Sequence, residues 1–112
     1  MLDEYKPVIE GGHVHVAEDR GNILGFIVLL PEADALLLDN VAVASQYQGM
    51  GIGRKLLEFA EQKGKLAGHR CITLCTNIHM TENIDLYRRL GYIETHRASG
   101  EGFDRVYMEK AL

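Results

Sequence analysis

The sequence predicts a mixed α/β (α+β) fold: a mostly antiparallel sheet with elements in the order β-β-β-α-β-α-β-β. Three observations predict it. Three strand-like runs separated by short turns come first. Two segments of helical period follow. The first of these lies between two strands, so a right-handed crossover must make those two strands parallel.

Each element has its own signal in the sequence. His13 to Ala17 reads as a short strand, Glu18 to Asn22 as a turn, and Ile23 to Leu30 as a strong strand. Pro31 to Asp34 turns the chain into a third strand, Ala35 to Val43, which carries Leu36-Leu37-Leu38 and Val41-Ala42-Val43. From Gly51 to about Leu66 the period is helical, with Ile52, Leu56, Phe59 and Ala60 on one face. Gly68 is the stop. Cys71 to Thr76 is a strand. Thr81 to Leu90 is a second helix, with Thr81 at the N-cap position and Gly91 just past the end. Tyr92 to His96 and Arg105 to Glu109 are the last two strands, joined by a turn at Ala98 to Gly102.

The bulk properties narrow the function. A chain of 112 residues is the size of one domain, residues 1–112. It is 46% hydrophobic and 25% charged, an ordinary globular balance. A net charge of -4 argues against general nucleic-acid binding, which depends on many Lys and Arg contacts to phosphate. No apolar run approaches the roughly 18 residues of a membrane span, and MLDEYKPVIEGG lacks the apolar core of a secretory signal. The expected location is therefore cytoplasmic, with no membrane partner. Cys71 and Cys75 share a strand face about 13 Å apart, too far for a disulfide; they read as two buried small side chains. His13 and His15 share a face of an ordinary half-exposed strand. No histidine or cysteine spacing suits a metal, and none is expected.

The chemistry concentrates between the third strand and the first helix. Glycines stand at 49, 51 and 53 in Gln48-Gly49-Met50-Gly51-Ile52-Gly53. A helix N-terminus offers free N–H groups and partial positive charge to an anion. Arg54 and Lys55 add charge in the first turn. A Walker A loop and a dinucleotide fingerprint are both excluded, because from Gly49 each requires a glycine where Arg54 stands. The pattern instead fits [RQ]-x-x-G-x-[GA].

With its flanks, VAVASQYQGMGIGRKLL resembles the acetyl-CoA signature of the GNAT superfamily of N-acetyltransferases. TENIDLYRRLGYIETHR resembles that family's later motif, with Asn83, Tyr87, Gly91 and Tyr92 at its core. The resemblance implies the GNAT acyltransferase fold and an N-acetyltransferase that moves an acetyl group from acetyl-CoA, as cosubstrate, to a primary amine on a small molecule or peptide. It implies that the third strand and its parallel neighbour splay apart, with Val41, Ala42 and Val43 pairing with pantetheine. The pyrophosphate would rest on the amides of Gln48, Gly49, Met50, Gly51, Ile52, Gly53 and Arg54. Asn83 would contact the cofactor. Asn77 reads either as a pantetheine contact or as a turn-forming asparagine. Tyr87 is the general-acid candidate, its phenol protonating the departing thiolate; the competing reading is a tyrosine packed on its helix. Val41 N–H is a candidate oxyanion donor. A carboxylate or an ordered water could take the amine's proton; Asp39 is the nearest acid to the splay and Glu32 and Glu82 are further candidates, though each reads rather as a solvated surface acid than as a base.

The chain departs from that family at its start, where relatives carry a strand and two helices that this sequence is expected to lack. The strand at His13 to Ala17 would then be a sheet edge, open to a second copy in a homodimer. The same departure motivates an alternative function, an acetyl-CoA-binding sensor or accessory subunit without efficient catalysis.

Overall fold

A computed structural model describes residues 4–7, 12–100 and 102–112. In chain order the elements are β1 (Glu4–Pro7), β2 (Val14–Asp19), β3 (Asn22–Glu32), β4 (Ala35–Val43), a short 3-10 turn (Ser45–Tyr47), α1 (Ile52–Ala67), β5 (Cys71–Asn77), α2 (Thr81–Arg89), β6 (Ile93–Gly100) and β7 (Phe103–Ala111). The strands form one seven-stranded sheet in the order β1-β2-β3-β4-β5-β7-β6. Among the described residues only β4 and β5 run parallel; the other neighbours are antiparallel. The expected mixed sheet with one parallel pair is what the structure contains.

The start of the chain differs from expectation. Glu4–Pro7 form a strand paired with β2, so the strand at His13–Ala17 is not the sheet edge and the first strand is not missing. The segment Glu4-Tyr5-Lys6-Pro7 carries no apolar alternation, so only pairing with β2 makes it a strand. The turn between β2 and β3 is Arg20-Gly21, both at positive φ (52° and 83°), which suits the twist of a two-residue hairpin. Strands therefore run further into the turns than the composition suggested: Pro31 pairs with Leu36, and β6 and β7 pair to Gly100–Phe103. Tyr92 precedes β6 and is fully buried rather than a strand residue.

Strand alternation divides the sheet into two faces. Ile27 and Leu29 of β3, Leu36 and Leu38 of β4, Ile72 and Leu74 of β5, and Val106 and Met108 of β7 point to one side. There they meet Ile52, Leu56, Leu57 and Ala60 of α1 and Ile84 and Tyr87 of α2 in a single buried cluster. A half-buried ion pair, Lys110 Nζ to Glu61 Oε1 at 3.0 Å, ties β7 to α1 on that side. The other face carries Phe26, Val28, Leu30, Leu37, Thr73 and Tyr107. These are half-buried and outside the cluster, and neither helix packs on them.

The helix ends follow local chemistry. α1 stops at Gly68, left-handed at φ 81°, and α2 is followed by Gly91 at φ 101°. The N-cap of α2 is Met80 rather than Thr81, which is the first helical residue, and no side chain caps it.

Candidate active site

The decisive feature lies between the parallel strands. β4 and β5 pair over only three rungs, Ala35 with Cys71, Leu36 with Ile72 and Leu37 with Thr73. Both strands continue, β4 to Val43 and β5 to Asn77, without pairing to each other. The cause is visible in β4. Leu38 lies opposite Leu29 and Asn40 opposite Val28, so Asp39 is an extra residue in a β-bulge. A bulge bends and twists its strand and ends regular pairing. β5 stays paired to β7 as far as Asn77 opposite Arg105, so the gap opens on the β4 side alone.

The backbone in the gap is polar and oriented. Ala44 N–H donates to Leu24 C=O at 2.9 Å. Antiparallel ladders alternate, so Ala42 bonds toward β3, while Val41 and Val43 direct their N–H and C=O groups away from β3, into the gap. Gln48 Nε2 donates to Val43 C=O at 3.2 Å, which agrees with that direction and fixes the loop against the strand. The expected triplet thus divides: Val41 and Val43 offer backbone groups, and Ala42 holds the strand in the sheet.

At the end of the gap stands the N-terminus of α1. Its N-cap is Gly51, with no side-chain cap and no acid in the first turn. The helical ladder begins with Lys55 N–H donating to Gly51 C=O, so the amides of Ile52, Gly53 and Arg54 precede it. The three glycines act differently. Gly49 and Gly51 have φ of 83° and 81° and shape the loop. Gly53 is helical, and a Cβ there would meet only Val43 Cγ2 at an ordinary 3.7 Å. Nothing in the chain itself requires glycine at 53. Arg54 and Lys55 are exposed, and Arg54 pairs with Glu58 at 3.6 Å. Ile52 is buried and contributes its backbone alone, and Met50 is exposed.

An open cleft of about 410 Å³ joins these parts. It brings together Val41, Ala42, Val43, Gln48, Gly53, Asn83 and Tyr87. Asn83, Leu86 and Tyr87 recur at helical spacing and turn one face of α2 to it. Gly49, Met50, Gly51, Ile52 and Arg54 do not line this cleft; they form the loop and helix start at its border. Asn77 is not part of it. Its Oδ1 accepts from His79 N–H at 2.8 Å, the turn-forming alternative. Sequence reasoning passed over Leu57, Met80 and Leu86, which also line the cleft. Leu86 was accessible from its spacing to Asn83; Leu57 and Met80 carry no signal beyond being apolar.

Tyr87 is buried, its ring edge-on to Tyr92 with centroids 5.7 Å apart. Burial pushes its phenol above the ordinary value of 10, so it stays protonated through the neutral range. Of the candidate bases, Glu82 lines the cleft. Asp39 is the exposed bulge residue and Glu32 lies on the opposite sheet face. Cys71 and Cys75 are free thiols, half-buried rather than fully buried. His15 is buried against Phe59, with ring centroids 5.1 Å apart, while His13 is exposed. Among the described residues no group of three His, Cys, Asp or Glu is placed to hold a metal, and no helix is long and apolar enough to cross a membrane.

A sheet whose one parallel pair splits beside an uncapped, glycine-entered helix presents a bare strand edge and free helix amides to one open cleft. The acetyltransferase (GNAT) domain model matches residues 10–94, and the chain belongs to that family. It is 34% identical over 94 residues to a 5-NmdU N-acetyltransferase of Pseudomonas phage PaMx11, covering 81% of this chain and 65% of that protein. It is 31% identical over 86 residues to N-acetyltransferase family 8 member 3 of Rattus norvegicus, covering 71% of this chain and 38% of that protein. The chain thus spans less than two thirds of these relatives' length. Among solved structures, an IAA acetyltransferase from Bacillus cereus superposes with a TM-score of 0.78 at 25% identity, covering 88% of this chain and 77% of that one. A GNAT family acetyltransferase from Elizabethkingia anophelis, solved with acetyl-CoA bound, gives a TM-score of 0.79 at 23% identity over 88% and 75% of the two chains.

Proposed function

We propose that this chain is an N-acetyltransferase that takes acetyl-CoA as cosubstrate and acetylates a primary amine. The observation that carries the reading is the gap beyond the Leu37–Thr73 rung, with Val41 and Val43 backbone groups directed into it beside the uncapped start of α1. An extended pantetheine arm would pair with β4 as an added strand does. Its pyrophosphate would lie on the amides from Gly51 to Arg54, and Gly53 would let it approach without a Cβ. Asn83, on the cleft wall, would contact the cofactor.

In the chemical step a neutral amine nitrogen attacks the acetyl carbonyl carbon. A C–N bond forms, Val41 N–H steadies the developing oxyanion, and the C–S bond breaks. The thiolate takes the Tyr87 proton, and the surplus proton on nitrogen leaves through water to restore the phenol. Amine and acetyl-CoA become amide and free CoA. A buried phenol on the cleft wall, held protonated, supports Tyr87 as the acid.

Calorimetric titration with acetyl-CoA and assay of thiol release test the two halves separately. Gly53→Glu is expected to weaken acetyl-CoA by tenfold or more, about 1.4 kcal/mol; unchanged affinity would refute the pyrophosphate position. Tyr87→Phe is expected to leave acetyl-CoA binding intact and to lower kcat by roughly 10²-fold or more. Clear binding with no turnover on any amine would support the sensor reading instead.

A further inference from the structure

On the helix side of the sheet, toward the far end of α1 from its glycine loop, lies a second open cavity of about 460 Å³. That volume is in the range of small-molecule sites, about 300–1,000 Å³. Its apolar wall is Leu29 and Pro31 of β3, Leu36 of β4 and Leu66 of α1. Leu66 is 87% exposed, so this wall is open to solvent. Among the described residues none lines both this cavity and the cleft that holds Asn83 and Tyr87. Lys63, on the cavity wall, lies twelve residues along α1 from Gly51, about 18 Å.

The ionisable side chains of this cavity are all basic: His13, Lys63 and His69, from three separate segments. The chain as a whole is acidic, at net -4. Yet among the described residues no carboxylate lines the cavity. The acids close by in sequence are engaged elsewhere. Glu32, next to Pro31, lines the opposite sheet face, and Asp34 is paired with Arg70 at 3.6 Å. Among the described residues no ion pair engages Lys63. The last carbonyls of α1, which would repel an anion, are occupied. Gly68 N–H donates to Lys65 C=O at 3.1 Å, and His69 N–H to Gly64 C=O at 2.9 Å.

A buried group points the same way. His15 shares a strand face with His13, and its ring partner Phe59 lies one turn of α1 before Lys63. It is 4% exposed, and neither ring nitrogen has a hydrogen-bond partner among the described residues. Buried polar groups ordinarily have one. Burial first, then the charges of Lys63 and His13, hold its pKa below the ordinary value of 6.5. A negative charge at this basic end would relieve that repulsion.

We propose that this cavity binds a small carboxylate with a short aliphatic tail. The assignment does not rest on the acetyltransferase reading. The carboxylate sits among Lys63, His13 and His69. The ammonium supplies one full charge, and each imidazole carries an N–H in either tautomer, which suits a monoanion with two acceptor oxygens. The tail lies on Leu29, Pro31 and Leu36 and covers Leu66, gaining apolar burial. An aliphatic ammonium would face three basic groups and is rejected. A neutral alcohol keeps the tail contact and loses the charge.

The test is calorimetric titration with hexanoate, hexan-1-ol, acetate and hexyltrimethylammonium. Hexanoate is expected to bind at least about tenfold tighter than hexan-1-ol or acetate, with no detectable hexyltrimethylammonium binding. Saturating acetyl-CoA is expected to leave hexanoate affinity unchanged, because the two sites lie apart. Lys63→Met and Leu66→Asp are each expected to weaken hexanoate by about tenfold while the far-UV circular dichroism spectrum stays that of the parent. Both side chains are exposed, so neither change threatens the fold. Hexanoate that binds no tighter than hexan-1-ol or acetate, that acetyl-CoA displaces, or that binds both variants normally overturns the proposal.

Discussion

The two faces of this sheet are built from neighbouring residues of the same strands and have opposite fates. Leu29 is 2% exposed under the helices, whereas Leu30, one residue on, is half-buried on the face that neither helix covers. The covered face carries the cluster that holds the fold. The other face stays half-buried under neither helix. The period of two along a strand thus decides which side chains hold the fold.

The largest expected effect falls on the covered side. Leu29→Ala should lose about 2–5 kcal/mol in urea unfolding, the cost of a buried leucine truncation. Gly25→Ala comes next, at about 1–3 kcal/mol. A Cβ there would lie 2.5 Å from the Ala42 carbonyl oxygen, so β4 must shift, and acetyl-CoA titration should weaken with it.

A pH-dependent effect separates His15 from its exposed neighbour. Burial foremost, then Lys63 and His13, lowers the His15 pKa below its ordinary value. Both ring nitrogens are buried without a hydrogen-bond partner. The unfolded chain therefore takes up the proton first. Stability is complete above the unfolded value of about 6.5 and is lost as pH falls from there toward the lower folded value. The urea midpoint should drop between pH 7.5 and 5.5, and His15→Leu should flatten that drop.

The smallest effect completes the comparison. Leu30→Ala should cost under about 1 kcal/mol, since it leaves no closed cavity. A cost equal to that of Leu29→Ala would break the contrast, because something would then have to cover the open face.

Much of this was legible because the signals are local. The apolar runs in Ala35–Val43 located β4 to the residue, and Gly68 and Gly91 marked helix ends by the backbone conformation they permit. Gln48, Gly53, Asn83 and Tyr87, picked out by their motif spacing, line one cleft. What stayed hidden depends on partners distant in sequence. Glu4–Pro7 become a strand only against β2. Asp39 becomes a bulge only because Val28 and Leu29 are consecutive opposite it, and no residue type announces that. Asn77 showed both its readings, and the choice depended on where the chain turns at His79. A cavity of about 570 Å³ on the face away from the helices was invisible for the same reason, since its lining comes from β3, β4, β5, β6 and β7 together.

The departure of β4 from β5 also bears on how the molecule is made. Beyond Thr73, β5 has no neighbour on its β4 side, and its other neighbour, β7, lies roughly thirty to forty residues further along the chain. Until that strand arrives, Leu74 to Asn77 have two unsatisfied edges, within the apolar segment Cys-Ile-Thr-Leu-Cys-Thr. Such a segment is slow to complete and prone to pair with copies of itself. The same gap in the finished sheet is, during folding, a stretch of open strand edge that another chain could pair with.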